Sequence, residues 1–154
     1  MSIAACLSTG KDDWQTPDAL FNALDEEFGF VLDGAANAEN TKCVDWLGPG
    51  GMAEDALTFG WPTCGEAVWV NPPYSRGLQG KFIAKAVDAA QAGAKVVMLL
   101  PARTDTRAFH SYIWNQYEHK PWPGVEVRFL KGRLRFVGAP ASAPFPSMVV
   151  IFGR

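Results

Sequence analysis

Three cysteines, two histidines and no long apolar run set the first limits on this chain. Cys6, Cys43 and Cys64 show neither CxxC nor Cys/His spacing. That pattern offers no zinc site and no disulfide framework, and it suits a reducing cytoplasm, so no metal is expected. His110 and His119 have no partner at ligand spacing and read as structural residues. No apolar stretch nears the ~20 residues that cross a bilayer, so a membrane is not an expected partner. The opening MSIAACLSTGKDD lacks the basic start and apolar run of a signal peptide. Residues 1–13 read as a loose leader, and residues 14–154 as one domain. Repeats and low-complexity tracts are also missing.

Basic residues are scarce in the first half. Residues 1–75 hold Lys11 and Lys42 against twelve acids, whereas residues 76–154 hold twelve bases against Asp88, Asp105, Glu118 and Glu126. The net charge of −2 hides this split. An acidic half suits a cationic small molecule and a basic half a polyanion, unless the two halves interleave in space. Arg76, Arg103, Arg107 and Arg133 are the basic residues placed to meet phosphates, with Lys131 and Arg135 beside the last of them.

What is present is an alternation of apolar strands with amphipathic helices. In TPDALFNALDEEFGF, Thr16 suits an N-cap, Pro17 the first helical position, and Gly29 the stop. Leu20, Phe21, Leu24 and Phe28 recur at helical spacing. Residues 30–33 form a short strand, followed by a turn of small residues. Residues 37–65, rich in Gly and Pro, are expected to be mostly loop. Strands are expected at 67–70, 94–100, 125–130, 134–137 and 148–152, and helices at 80–92 and 104–117. This order argues an α/β fold with a largely parallel sheet, whose ligands sit beyond the carboxyl ends of the strands.

Two polar turns fall at such ends: Asp33-Gly34-Ala35 and Asn71-Pro72-Pro73-Tyr74. Proline cannot donate to a ladder, and the residue before a proline is pushed to extended geometry. The second turn is therefore a stiff corner presenting Asn71, two carbonyls and an aromatic ring.

That corner resembles the catalytic tetrapeptide of amino-group methyltransferases that use S-adenosylmethionine. With WQTP at residues 14–17, LDGAA at 32–36, and VVMLLPARTDTR, FLKGRLRF and APFPS further on, the chain resembles phage-type, Dam-like DNA N6-adenine methyltransferases over residues 12–152. The resemblance implies a Rossmann-like methyltransferase fold in a compact version, with no separate target-recognition domain. It departs from the wider superfamily in having one glycine in the DGAAN turn. It implies that S-adenosylmethionine is bound near Thr16, Pro17, Asp33, Gly34, Ala35 and Asn71, and is released as S-adenosylhomocysteine. Asp55 is placed near the cofactor's ribose or adenine. It further implies that the Asn71 oxygen and the Pro72 carbonyl engage the adenine amine while Pro73 stiffens the corner. Tyr74 then stacks on a flipped-out base, with Phe136, or alternatively Phe145, closing the stack. DNA is the implied partner, and the host cytoplasm the implied location. Cytosine N4, RNA adenine and protein glutamine remain rival amines, and a binding module without catalysis is the rival outside enzymes. Residues 37–65 are the expected place for a recognition loop; the sequence does not decide between monomer and homodimer.

Overall fold

The computed structural model describes residues 14–75 and 77–154; the expected leader and Arg76 lie outside them. Helix α1 (Asp18–Phe28) turns Phe21 and Leu24 into the core. It ends at Gly29, whose φ of 68° lies in the left-handed region where glycine avoids a Cβ clash. Its start differs from the sequence expectation. Pro17 holds the cap position with ψ 135°, and no side chain caps the helix. Thr16 is thereby one residue too distant to cap, and its hydroxyl serves another partner.

Strands β1 (Phe30–Asp33), β2 (Ala67–Val70) and β3 (Lys95–Pro101) pair in parallel. Helix α2 (Leu78–Gln91) links the last two, starting two residues earlier than expected. After β3 come two short strands, β4 (Trp114–Asn115) and β5 (Lys120–Pro121), which form a separate two-stranded sheet. Strands β6 (Val125–Phe129) and β7 (Ser147–Phe152) complete the main sheet, in the order β1-β2-β3-β7-β6. β7 runs antiparallel to both its neighbours. The other four strands therefore point the same way, as a mostly parallel α/β sheet requires.

β2 is buried along its whole length, as is β7, so both faces of the sheet are covered. One face packs against Phe82, Ile83 and Ala86 of α2 together with Leu47, Trp61, Phe109 and Ile113. The other packs against Phe21 and Leu24 of α1 together with Tyr74 and Phe136.

Two expected elements are replaced. In place of a helix over 104–117 there is a π-helical turn at Phe109–Ile113, after which Trp114 becomes extended. Trp122 explains the stop: its indole N–H donates to the His110 carbonyl at 2.9 Å and its backbone N–H to the Ile113 carbonyl at 3.0 Å. Those carbonyls are then unavailable to a further helical turn. Residues 134–137 form no strand. Their backbone bonds go singly to loops, Ala143 N–H to Leu134 O and Val137 N–H to Gln15 O, so no ladder builds.

The charge split between the halves is partly cancelled in space. Arg128 donates both guanidinium arms to the Glu27 oxygens at 2.7 Å and its Nε to Glu126 at 2.6 Å. Arg154 adds a 2.7 Å bond to Glu126. Hydrogen bonding from Arg128 holds both carboxyls below their usual range. No helix among the described residues is long and apolar enough to cross a membrane.

Candidate active site

The carboxyl ends of β1 and β2 lie side by side, with Asp33 in register with Trp69 and the Gly34 N–H bonded to the Trp69 carbonyl at 2.8 Å. Beyond them opens a cavity of about 560 Å³. Such a volume suits a cofactor-sized ligand. Of the residues expected around a cofactor, Thr16, Asp33, Ala35, Asp55 and Asn71 line it. Pro17 and Gly34 do not. Gly34 faces the sheet: a Cβ there would meet Val70 at 3.0 Å and Trp61 at 3.3 Å. Its lack of a side chain permits close packing between the turn and the sheet.

Sequence reasoning missed most of the opposite wall, which is built by residues 37–57. Asn37, Asn40, Lys42, Leu47, Gly48 and Glu54 all face the cavity. Part of the segment expected to carry a recognition loop is therefore committed to this wall. Its backbone is tied to β1 and not to a ladder of its own: Asp33 N–H to Asp45 O, Leu47 N–H to Asp33 O, Ala36 N–H to Leu47 O. Leu47 is fully buried, which stabilises the docked wall by about 2 kcal/mol. Asn37 was the available signal. Its side-chain oxygen accepts the N–H groups of Glu39 and Asn40, the turn chemistry that an Asn-Ala-Glu-Asn run encodes.

Asp33 is 2 % exposed. One carboxylate oxygen accepts the Ala35 N–H at 3.2 Å and the other the Lys42 N–H at 2.9 Å. Burial outweighs these bonds and raises its pKa to about 6. A buried carboxylate with two neutral donors favours a cationic partner. Asp55 spends one oxygen on the Leu57 N–H at 2.9 Å and keeps an exposed carboxylate. Lys42 is paired with Asp18 at 2.6 Å. Among the described residues, the acids Asp33, Glu54 and Asp55 thus share the cavity with one base that is already paired.

At the corner, the Asn71 amide nitrogen donates to the Trp14 carbonyl and, at 3.0 Å, to the Thr16 hydroxyl. A backbone carbonyl can only accept, so it must face nitrogen and not oxygen. This fixes the amide orientation and leaves Asn71 Oδ1 buried and without a hydrogen-bond partner among the described residues. An unmet buried acceptor costs about 1–3 kcal/mol, a penalty that an incoming N–H would relieve.

Tyr74 is 4 % exposed, and its hydroxyl donates to the Leu99 carbonyl at 3.0 Å. Its ring meets Phe136 at 6.4 Å with an 80° tilt and Phe145 at 5.6 Å with a 71° tilt. Trp14 closes the group, 5.3 Å from both phenylalanines. The rings form a packed cluster of edge-to-face and tilted pairs. The expected parallel slot between Tyr74 and Phe136 is therefore not present, because edge-to-face packing uses the space a base would take.

Arg103, Arg107 and Arg133 are exposed. None takes part in an ion pair among the described residues, in contrast with Arg128 and Arg154. No group of three or more metal-ligating side chains gathers among the described residues.

Three comparisons bear on this site. A family model described as DNA N-6-adenine-methyltransferase (Dam) matches residues 4–152. The chain is similar to a DNA N-6-adenine-methyltransferase of Escherichia phage T1, 33% identical over 100 residues, covering 64% of this chain and 40% of the relative. It is also similar to a protein of the same description from Haemophilus phage HP1, 34% identical over 111 residues, covering 70% of this chain and 60% of the relative. The matches thus span between two fifths and three fifths of those relatives. Among solved structures, the crystal structure of 23S rRNA methyltransferase ErmE superposes with a TM-score of 0.58 at 13% identity, over 92% of this chain and 70% of that one. That likeness shows the fold.

Proposed function

The chain belongs to the DNA N-6-adenine-methyltransferase (Dam) family, and on that premise we propose that it transfers a methyl group from S-adenosylmethionine to the N6 amine of adenine in DNA. The observation that carries this reading is Asn71 Oδ1, buried, unpartnered among the described residues and locked in orientation by Trp14 and Thr16.

An adenine amine is a weak nucleophile because its lone pair is delocalised into the ring. Acceptors aimed at its N–H groups draw it towards tetrahedral geometry and return that lone pair to nitrogen. Asn71 Oδ1 is one such acceptor, and the Pro72 carbonyl is the second in this reading. Pro73 keeps that carbonyl from relaxing, so little reorganisation is needed during reaction. S-adenosylmethionine, when bound, supplies an electrophilic methyl on a sulfonium. Its product is S-adenosylhomocysteine.

The cavity fits that cofactor. Three acids against one paired base suit its ammonium and sulfonium charges, and Asp33 is the buried anion nearest the sheet end. Leu47, Leu57 and Phe82 offer apolar surface for a planar base. Thr16 and Asn71 lie where cofactor and target share the site.

Tyr74 serves the target base from within the aromatic cluster. N6 is not reachable in this way inside a duplex, so the base is flipped out. Stacking of this kind is worth about 1–3 kcal/mol per base. Phe145, half-buried, is the ring freest to move aside, and Phe136, at 2 % exposure, is fixed. Arg103, Arg107 and Arg133 contact phosphates, which position DNA without reading it. The reaction takes place in the cytoplasm of a phage host.

The test is transfer of labelled methyl from S-adenosylmethionine to unmethylated DNA, followed by hydrolysis and separation of nucleosides. Label in N6-methyldeoxyadenosine is the expected result. Label in N4-methyldeoxycytidine would move the target atom. No label in DNA, with cofactor binding intact, would overturn DNA as the substrate and direct the search to RNA or protein amides.

A further inference from the structure

The corner has a second concave side. Pro73 lines the cofactor cavity, whereas Tyr74 lines a separate cleft between the first turn of α2 and the loop after β3. Gln79, Arg103, Thr106 and Arg107 line it as well.

Three independent features of this cleft call for an anion. Gln79 Nε2 is buried and has no hydrogen-bond partner among the described residues. An amide nitrogen can only donate, so what it lacks is an acceptor. Arg103 and Arg107 have no ion pair among the described residues, although Asp105 sits between them. The first turn of α2 carries no acid and no side-chain cap, so its positive end is uncompensated. Asp105 is the one acid lining the cleft among the described residues, and it stands against two guanidiniums.

The loop is also held in place. Thr106 Oγ1 donates to the Arg103 carbonyl at 3.0 Å and accepts the Phe109 N–H at 3.2 Å. This fixes the backbone that carries both arginines before any ligand arrives. Arg103 is close enough to influence the Tyr74 phenol: burial pushes that pKa far up, and the Arg103 charge opposes the rise.

We propose that this cleft binds one backbone phosphate of the DNA strand beside the target nucleotide, with Arg103 and Arg107 as its charge partners and Gln79 as a neutral donor. The assignment rests on the reading of the chain as a DNA methyltransferase. Gln79 acts here as a positioning residue: it fixes the strand so that the adjoining base meets the corner.

The test is anisotropy of a labelled, unmethylated duplex with the full chain and S-adenosylhomocysteine, titrated across salt concentrations. Arg103→Gln and Arg107→Gln are each expected to reduce the slope of log affinity against log salt by about one. Gln79→Leu is expected to weaken binding about tenfold with the slope unchanged, because it removes a neutral donor. Gln79→Glu keeps the shape, sets a carboxylate against the phosphate, and weakens binding further; it carries the test if the leucine variant does not fold. In all four variants the cofactor affinity, by calorimetry, stays within about twofold of the parent. If the parent binds and methylates DNA while the Gln79 and arginine variants match it in affinity and slope, the subsite is overturned alone. If the parent binds no DNA, the DNA reading falls and takes the subsite with it.

Discussion

At Asn71 the amide nitrogen donates to two acceptors and the oxygen meets no donor among the described residues. That asymmetry separates its two jobs. Replacing Asn71 with Ala is expected to lower turnover about 10²–10³-fold, the usual effect of deleting one preorganised polar group. Cofactor affinity by calorimetry should stay within about threefold. Turnover equal to the parent's would sink the corner as the site of chemistry. Asp33 supplies a second test at this scale. Its pKa of about 6 lies above the ordinary carboxylate value, so between pH 4 and 6 the unfolded chain has released a proton that the fold retains. The ligand-free fold therefore loses stability as pH rises through that window. Cofactor binding has the opposite sign, because the cation is attracted only to ionised Asp33. Affinity is expected to weaken as pH falls through about 6 and to level off above it. A flat profile from pH 5 to 7.5 would remove Asp33 from the cofactor's charge partners.

At the scale of elements, the wall built by residues 37–57 depends on close backbone approach. Gly48 has φ 133°, and a Cβ there would lie 1.9 Å from the Ala36 carbonyl oxygen. Gly48→Ala must therefore displace the wall, and the expected result is a loss of about 2 kcal/mol or more with cofactor binding abolished. Gly60→Ala, with nothing within 4 Å, is the control and should leave the melting temperature and binding unchanged. Equal melting curves for the two variants would show that the wall is not docked in this way. This segment also marks the boundary of what could be read beforehand. β2, β3 and β7 are legible because each is an apolar run buried on both sides, and β1 because its short apolar run follows the glycine that ends α1. α2 is legible because Phe82, Ile83 and Ala86 recur at helical spacing. The wall has no period, since its bonds go to Asp33 and to its own turns. The turn at Phe109–Ile113 carries helical spacing yet ends early, because Trp122, nine residues or more downstream, takes its carbonyls. Asn71 and Tyr74 were readable as a motif. That Tyr74 is sealed among Phe136, Phe145 and Trp14 depends on contacts from three distant segments, and no local pattern announces it.

Over the whole molecule, the bases of residues 77–154 include spent and unspent charge. Arg128 and Arg154 are occupied by Glu27 and Glu126. Arg103, Arg107 and Arg133 have no ion pair among the described residues. Arg128→Gln is accordingly expected to leave the salt dependence of DNA binding unchanged, whereas Arg133→Gln should reduce its slope by about one. A matching loss in both variants would mean that the paired edge also meets DNA. Arg128→Gln should cost no more than about 1 kcal/mol of stability, as partly exposed pairs do. The order of the sheet carries one more consequence. β7 sits between β3 and β6 yet is the last of the five strands in the chain. A growing chain on the ribosome therefore holds β3 and β6 apart, with the buried edge of each unpaired, until residues 147–152 emerge. Their arrival joins two halves of a sheet that cannot meet without them. The nascent chain is most exposed to aggregation just before that moment, while two unpaired strand edges wait for one shared partner.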